Sequence, residues 1–571
     1  MTAEPRFSNH FDVWPSRSQF RTGEGIFLQF ELPMPTQPLD LLHIVVMNLQ
    51  VPVFEMNVEV STLIGQGMSL PLQGRFAAGG YHVLCRLPAG DKLFTAKTAF
   101  DIRNHWREAP RYGFLSRFGP EATADDLVEL QRFFTRFHLN VVQFYDWMER
   151  HDALVPQSSE FVDPMGREHS VAVIKKRMAA MREIGGAAMA YAAVYAALRD
   201  FADAHPDDAL LDNKGAQYEL IERFYLMDIR PESAWRDHIL KEFRKVSEFG
   251  FDGFHLDQYG FPKSAKGADG ATIWLDQQYV SFIVACRQQL GDEAGLIFNA
   301  VGTYPLHTVT GSPQDAVYVE MWPPMTRYRH LRETIREVKL QTDGSKQVIL
   351  AAYLHPFSQG ASAEALTRTA LLTSAMIFCS GGYHLLLGER EGILTEAYYP
   401  SYGPFPPGLF APLRVMYDIL TADQAILSGP GVVDVSASFA CGINDDVVVE
   451  GAASSIDPEP GHVYVRVNKT PSGLVIHLLN LLWIVHDEWN RLHDEAFSPT
   501  PQLRLRVEWN DDCQTIWTQN AGEGGWVPQA AKWVPHLRGQ ALEVSVDPFD
   551  VWAMILIPYP NTVEPLPNTV Q

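Results

Sequence analysis

Residues 233–260 read SAWRDHILKEFRKVSEFGFDGFHLDQYG. Two periodicities meet in this stretch. Trp235, Ile239, Phe243 and Val246 recur at helical spacing and form one apolar stripe. The helix they predict follows Pro231 and ends before Gly250. The run FDGFHLD (251–257) comes next, nearly continuous in its apolar character, as expected of a strand buried on both faces. A helix that packs back against such a strand is half of a βα repeat. Seven further runs of the same kind occur: GFL (113–115), NVVQFY (140–145), AAMAY (187–191), LIFNAV (296–301), AVYVEMW (316–322), VILAAYL (348–354) and YHLLLG (383–388). Helical stretches separate them. One is capped at Thr123, with an acid three residues on, and carries Leu127, Leu130, Phe134 and Phe137. Another is capped at Ser170 and stops at Gly185 and Gly186. Eight units predict an α/β fold, a (β/α)8 TIM barrel with insertions. A doubly wound open sheet is the rival, weakened because no GxGxxG follows an early strand.

Outward from the barrel the texture changes. Residues 1–105 carry β-type runs at 26–32, 42–48, 81–87 and 94–102, parted by turn residues, and predict an immunoglobulin-like β-sandwich. Residues 427–571 carry runs at 462–468, 474–482, 503–509, 542–546 and 551–558, and predict a second β-sandwich. The barrel then occupies 106–426. A chain of 571 residues is consistent with this, at roughly 100–200 residues per domain.

The formal net charge is −22, which argues against binding of a nucleic-acid backbone and fits a neutral ligand such as a sugar; the charge also serves solubility alone. The five cysteines are scattered and read as buried structural thiols. The opening MTAEPRFSNHFDVW has no basic region followed by an apolar run, and no apolar stretch has the length of a membrane span. The expectation is a cytoplasmic protein, or a secreted one whose signal has been removed.

In such a barrel the chemistry sits where the strands end. Those ends supply Asp146 and Trp147; Tyr191, with Tyr195 following; His255, Asp257 and Gln258; Asn299; Glu320 and Trp322; Tyr353 and His355; and His384, leading to Glu389. Carboxylates and aromatics converge with few cations. Glycosidic cleavage needs two carboxyl groups flanking the bond, and aromatic faces pack on pyranose rings. Asp257 and Glu320 are the best pair. Each side chain also has a plainer reading. A strand-end Asp caps a helix or pairs with an Arg, as Asp146 would with Arg150. His255 faces away from the residues on either side of Asp257 and reads as a packed histidine. Trp147 and Trp322 serve equally as mouth packing. A metal site of His255, Asp257 and His384 or His355 lacks the HxH or HExxH signature, so no metal or cofactor is expected. A serine hydrolase lacks its GxSxG elbow.

Several longer segments lie in an order that resembles glycoside hydrolase family 66, the family of endo-dextranases and cycloisomaltooligosaccharide glucanotransferases. They are NVVQFYDWMERHDALVP (140–156), EFVDPMGREHS (160–170), AAMAYAAVYAA (187–197), GFDGFHLDQYG (250–260), NAVG (299–302), YVEMWP (318–323) and GGYHLLLGEREGILTEAYYPSYGPF (381–405), with HLLNLLWIVHDEW (477–489) beyond the barrel. The resemblance implies Asp257 as nucleophile, Glu320 as acid/base and Asp146 as a substrate-contacting carboxylate. It implies a retaining mechanism on α-1,6-glucosidic bonds of dextran or isomalto-oligosaccharides, with carboxyl groups about 5–5.5 Å apart. Trp147, Tyr191, Tyr195, His255, Gln258, Asn299, Trp322 and His384 join Asp146 as expected substrate contacts. Two departures from the family pattern fall near the expected mouth: Ala192 replaces an Asn, and LTEAYYP (394–400) replaces an LxDPYYP-like segment. The large insertion of the cyclising members has no counterpart, which favours hydrolysis. A transglycosylase of altered preference and a non-catalytic glycan-binding protein are the alternatives.

Overall fold

The computed structural model describes residues 7–560 apart from 9–10, 34–40, 359, 512 and 514. Eight parallel strands form one sheet: β1 (Tyr112–Leu115), β2 (Val141–Phe144), β3 (Ala187–Ala193), β4 (Gly253–Asp257), β5 (Gly295–Val301), β6 (Ala316–Glu320), β7 (Gln347–Ala351) and β8 (Tyr383–His384). Their spatial order is their chain order. The ring closes where Phe114 of β1 bridges Gly388 in parallel and its N–H donates to Leu387 O at 3.3 Å. The sheet is therefore a barrel and not an open doubly wound sheet. Strand β8 ends at His384, short of the expected Gly388, because the chain there turns from β7 toward β1.

The outer layer contains α1 (Ala124–Arg136), α2 (Val171–Glu183), α3 (Ala234–Phe249), α4 (Leu275–Leu290), α5 (Tyr328–Gln341), α6 (Ala363–Cys379) and α7 (Phe410–Ala422). Between β5 and β6 the helix is a single turn, Leu306–Val309. Thr123 and Asp126 form the expected capping box on α1. Ser170 precedes α2 but makes no side-chain cap; its N–H donates to Phe118 O at 2.8 Å instead. The stripe of α3 is wholly buried, and the helix ends at Gly250 with φ 118°, a conformation that glycine adopts without strain.

Two four-stranded sheets precede the barrel and share one buried cluster, the architecture of a β-sandwich. The strand Val51–Glu59 among them escaped the sequence reading. It is an edge strand carrying Pro52 and Glu55, so it lacks a clean apolar run. After the barrel, a seven-stranded and a four-stranded sheet share a third cluster. Cys441 is exposed, against expectation, whereas the other four cysteines are buried. Among the described residues no helix is long and apolar enough to cross a membrane.

Polar contacts join the first sandwich to the barrel. The buried guanidinium of Arg111 donates to both oxygens of Asp101 at 2.9 and 3.0 Å, to His138 O at 2.6 Å and to Ser18 O at 3.0 Å. Asp101 also accepts from Arg103 at 3.0 Å. Removing one member of a buried pair strands the other charge, at a cost of about 3–5 kcal/mol. Arg111→Met is expected to lose that much stability in urea titration, and the double variant Arg111→Met/Asp101→Asn to recover part of it.

Candidate active site

Five consecutive strands each contribute one group to a single line of hydrogen bonds at the C-terminal rim. Tyr191 of β3 donates its hydroxyl to Asp257 Oδ2 of β4 at 2.7 Å. Asn299 of β5 donates Nδ2 to Asp257 Oδ1 at 2.8 Å and lies 3.4 Å from Glu320 Oε2 of β6. Tyr353, just past β7, donates its hydroxyl to Glu320 Oε1. The order of groups follows the order of strands. Because one nitrogen touches both acids, the two bonded oxygens lie within about 6 Å of one another.

This line borders a cavity of about 330 Å³, at the lower end of ligand-sized pockets. Burial and the neighbouring Glu320 charge push Asp257 up to about 7, while Tyr191 and Asn299 oppose the shift. Burial also raises Glu320 above the usual carboxylate range, against the opposing effect of the polar groups of Tyr353, Trp322 and Asn299 beside it. Four buried polar atoms in the cavity wall, Gln143 Oε1, Tyr259 OH, Asn299 Oδ1 and Trp322 Nε1, have no hydrogen-bond partner among the described residues. Buried polar groups are normally satisfied, so these atoms point to hydroxyl-rich ligand or water.

The sequence-derived residues divide into three groups. Tyr191, His255, Asp257, Gln258, Asn299, Glu320 and Trp322 line the cavity. Among these, His255 is the packed, hydrogen-bonded histidine of the plainer reading: Nδ1 contacts Tyr112 OH at 2.9 Å, Tyr318 lies edge-on at 4.6 Å, and burial holds the ring neutral with its pKa down to about 3. Gln258 is occupied with the loop, donating to Asn299 O and Tyr304 O and accepting from Gly260 N–H.

Asp146 stands just behind the cavity. It adopts φ 45°, and Arg167 lies 3.4 Å from its Oδ2. Arg150 pairs with Asp152 and Asp200 instead. Burial raises Asp146 to about 7, Arg167 opposes the shift, and Asp163 and Asp257 add to it. Tyr195 is one layer out, accepting from Tyr259 N–H at 2.7 Å and donating to Phe261 O at 2.8 Å, so it positions Tyr259.

Trp147 and His384 are not at the cavity. Trp147 packs on Phe251 and Phe249 with its N–H on Tyr191 O, and His384 is taken up by Ser374 Oγ and Ala352 O. Strand-end position alone does not fix which way a side chain points. Conversely Tyr145, Tyr398, Tyr399, Leu220 and Ala397 line the cavity and were not among the sequence candidates. Tyr145 ends β2 and was readable by the same rule; the others arrive on loops. Of the two departures from the family pattern, Ala397 faces the cavity, whereas Ala192 is buried in β3 away from it.

Among the described residues one group of side chains lies close enough to hold a metal ion, His486, His493 and Glu495. It sits in the loop that docks on α5, where Tyr328 OH meets His493 Nε2 at 2.9 Å, and not at the cavity. Glu488 N–H donates to His486 Nδ1 at 3.3 Å, which leaves the proton on Nε2, facing Leu492 O at 3.2 Å. That nitrogen then has no lone pair for a metal.

The whole chain resembles a solved structure of a Paenibacillus sp. cycloisomaltooligosaccharide glucanotransferase complexed with cycloisomaltoheptaose, with TM-score 0.84, 18% identity and coverage of 96% of this chain and 99% of that one. In sequence it is 28% identical over 300 residues to a cycloisomaltooligosaccharide glucanotransferase of Niallia circulans, covering 48% of this chain and 30% of that protein. It is 20% identical over 485 residues to a dextranase of Streptococcus salivarius, covering 73% of this chain and 57% of that protein. The chain thus matches less than two thirds of the length of either curated relative. The profile of glycosyl hydrolase family 66 matches residues 48–556, and the chain belongs to that family.

Proposed function

We propose that the protein is a retaining glycoside hydrolase that cleaves α-1,6-glucosidic bonds of dextran or isomalto-oligosaccharides. The observation that carries this reading is the shared Asn299 amide, which keeps Asp257 Oδ1 and Glu320 Oε2 within about 6 Å of one another. Retaining enzymes hold their carboxyl pair about 5–5.5 Å apart, while inverting ones leave about 6.5–9.5 Å for a water between them. The linkage comes from the relatives, named as a dextranase and as glucanotransferases of cyclic isomalto-oligosaccharides.

Asp257, which accepts from Tyr191 and Asn299 at 2.7 and 2.8 Å, serves as the nucleophile, and Glu320, raised above the usual carboxylate range by burial, carries the proton when substrate is bound. Asp257 attacks the anomeric carbon as Glu320 protonates the departing O6 oxygen. The bond to O6 breaks and a β-glucosyl ester forms. Water then attacks the same carbon, Glu320 takes its proton, and Asp257 leaves as carboxylate. Asp146 stands behind the cavity wall as a further acid, and Tyr145, Tyr399 and Trp322 offer aromatic surface. Within the barrel, the β-structure that interrupts the βα repeat among the described residues consists of short two- and three-stranded sheets, which favours hydrolysis over cyclisation.

The test is product analysis on dextran by proton NMR. The first product is expected as the α-anomer; a β-anomer would exclude the retaining step. Asp257→Asn is expected to fold and to lose at least about 10³-fold in kcat.

Stability should move the other way. A carboxyl whose folded pKa lies near 7, above the usual 3.8, favours the fold fully at low pH and loses that contribution as pH rises between those values. Asp257→Asn should therefore be more stable than the natural protein at pH 7.5, by on the order of 2 kcal/mol, with the difference vanishing near pH 4. Thermal denaturation at the two pH values checks this.

A further inference from the structure

The excursion between β3 and α3 folds into a three-stranded sheet of Ala196–Ala197, Phe224–Leu226 and Glu219–Leu220. Its last two strands pair antiparallel, Leu220 opposite Phe224, and Arg223 N–H returns to Leu220 O at 3.2 Å. The two central residues of this turn, Ile221 and Glu222, have φ of 52° and 53°. Such a turn favours Asn-Gly, because only Gly, Asn and Asp adopt positive φ cheaply. A β-branched residue there is an outlier that costs on the order of 1–3 kcal/mol. The side chain is thus present despite the backbone.

Its surroundings give no packing reason for it. Ile221 is 58% exposed. The adjacent Leu220, opposite Phe224 in the hairpin, lines the cavity. The hairpin itself is fixed. Phe224 packs on His151 with ring centroids 4.5 Å apart, Arg223 donates to Pro164 O, and Arg199 lies 4.7 Å over the Tyr225 ring. His151 in turn lies 3.8 Å from Asp146 Oδ1, so the hairpin stands on the same layer as the acidic site. A rigid hairpin ends in two aliphatic side chains, one in the cavity wall and one beside it in solvent.

We propose that Leu220 and Ile221 form a specificity-determining wall that packs on the apolar face of a glucosyl residue next to the one being cleaved, so that the protein discriminates substrates by chain length. The proposal rests on the α-1,6-glucosidase reading above. Pyranose rings present axial C–H groups on their faces, and aliphatic side chains bury them as aromatic ones do. Loss of such contact is worth roughly 10–200-fold in kcat/KM.

The test uses the double variant Ile221→Asn/Glu222→Gly, which gives the turn its favoured chemistry, and Leu220→Ala as a second variant. Two substrates are compared, isomaltotetraose and an aryl α-glucoside that offers one glucosyl residue. The thermal midpoint of the double variant is expected to hold or rise. Its kcat/KM for the tetrasaccharide is expected to fall at least tenfold more than for the aryl glucoside, through KM, and Leu220→Ala is expected to show the same bias. Equal loss on both substrates, or no loss, with an active natural protein would overturn the wall alone. A natural protein inert on every α-1,6-linked substrate would overturn the reading beneath it, and the proposal with it.

Discussion

Two carboxyl groups whose facing oxygens lie within about 6 Å of one another repel by about 3 kcal/mol if both ionise, at an effective dielectric of 20. The site is arranged around that repulsion. Asn299 sits between the acids with its N–H donors toward both, Tyr191 steadies Asp257 from one side, and Tyr353 steadies Glu320 from the other. One proton shared by the pair is the low-energy state, and it is also the state that acid-assisted displacement begins from. The repulsion that costs the fold stability is what separates the two chemical roles.

The barrel makes this geometry possible because its strands are adjacent in chain order. β3 to β7 place Tyr191, Asp257, Asn299, Glu320 and Tyr353 side by side, with pairing such as Val301 opposite Glu320 and Glu320 opposite Ala351 setting the height of each. The frame around the barrel is braced by α7. Asp418 meets His138 at 2.7 Å and Thr98 at 3.4 Å, and Asp423 meets His82 at 2.9 Å and Trp526 at 3.1 Å. Two acids at one end of one helix therefore touch the sandwich before the barrel, the barrel and the sheet after it. The backbone is as close as the side chains, since a Cβ on Gly80 would lie 2.3 Å from Ala422 O.

What could be read in the sequence was whatever a strand's own pattern carries. Asp257 and Glu320 end unbroken apolar runs, and both line the cavity at the strand ends. The strand-end rule misplaced Trp147 and His384, because a residue one or two positions past a strand swings outward as readily as inward. Trp147 found Phe251, and His384 found Ser374. Local charge was a poor guide too. Asp146 lies near Arg150 in sequence, yet its partner Arg167 comes from a loop 21 residues away, and Arg150 is held by Asp152 and Asp200. The aromatic wall of Tyr398 and Tyr399 and the aliphatic Leu220 arrive on long loops, whose course no periodicity records.

The departures from the family pattern acquire different weights once the side chains are placed. Ala192 is buried in β3, opposite Leu256 in register, and has no route to a ligand. Ala397 borders the cavity beside Tyr398 and Tyr399, and Tyr399 stacks on Tyr145 at 4.5 Å. A small residue there leaves the tyrosine pair as the cavity surface on the side formed by the β8 loop. Leu220 stands on the side formed by the β3 loop. Acids and amides on the strands are fixed by the barrel, and in the proposed reaction they would serve the bond being broken. Leu220, Tyr398 and Tyr399 arrive on loops and line the cavity away from the strands. On the function proposed above, selection among glucans would belong to the loops, and the bond-breaking chemistry to the five strands beneath them.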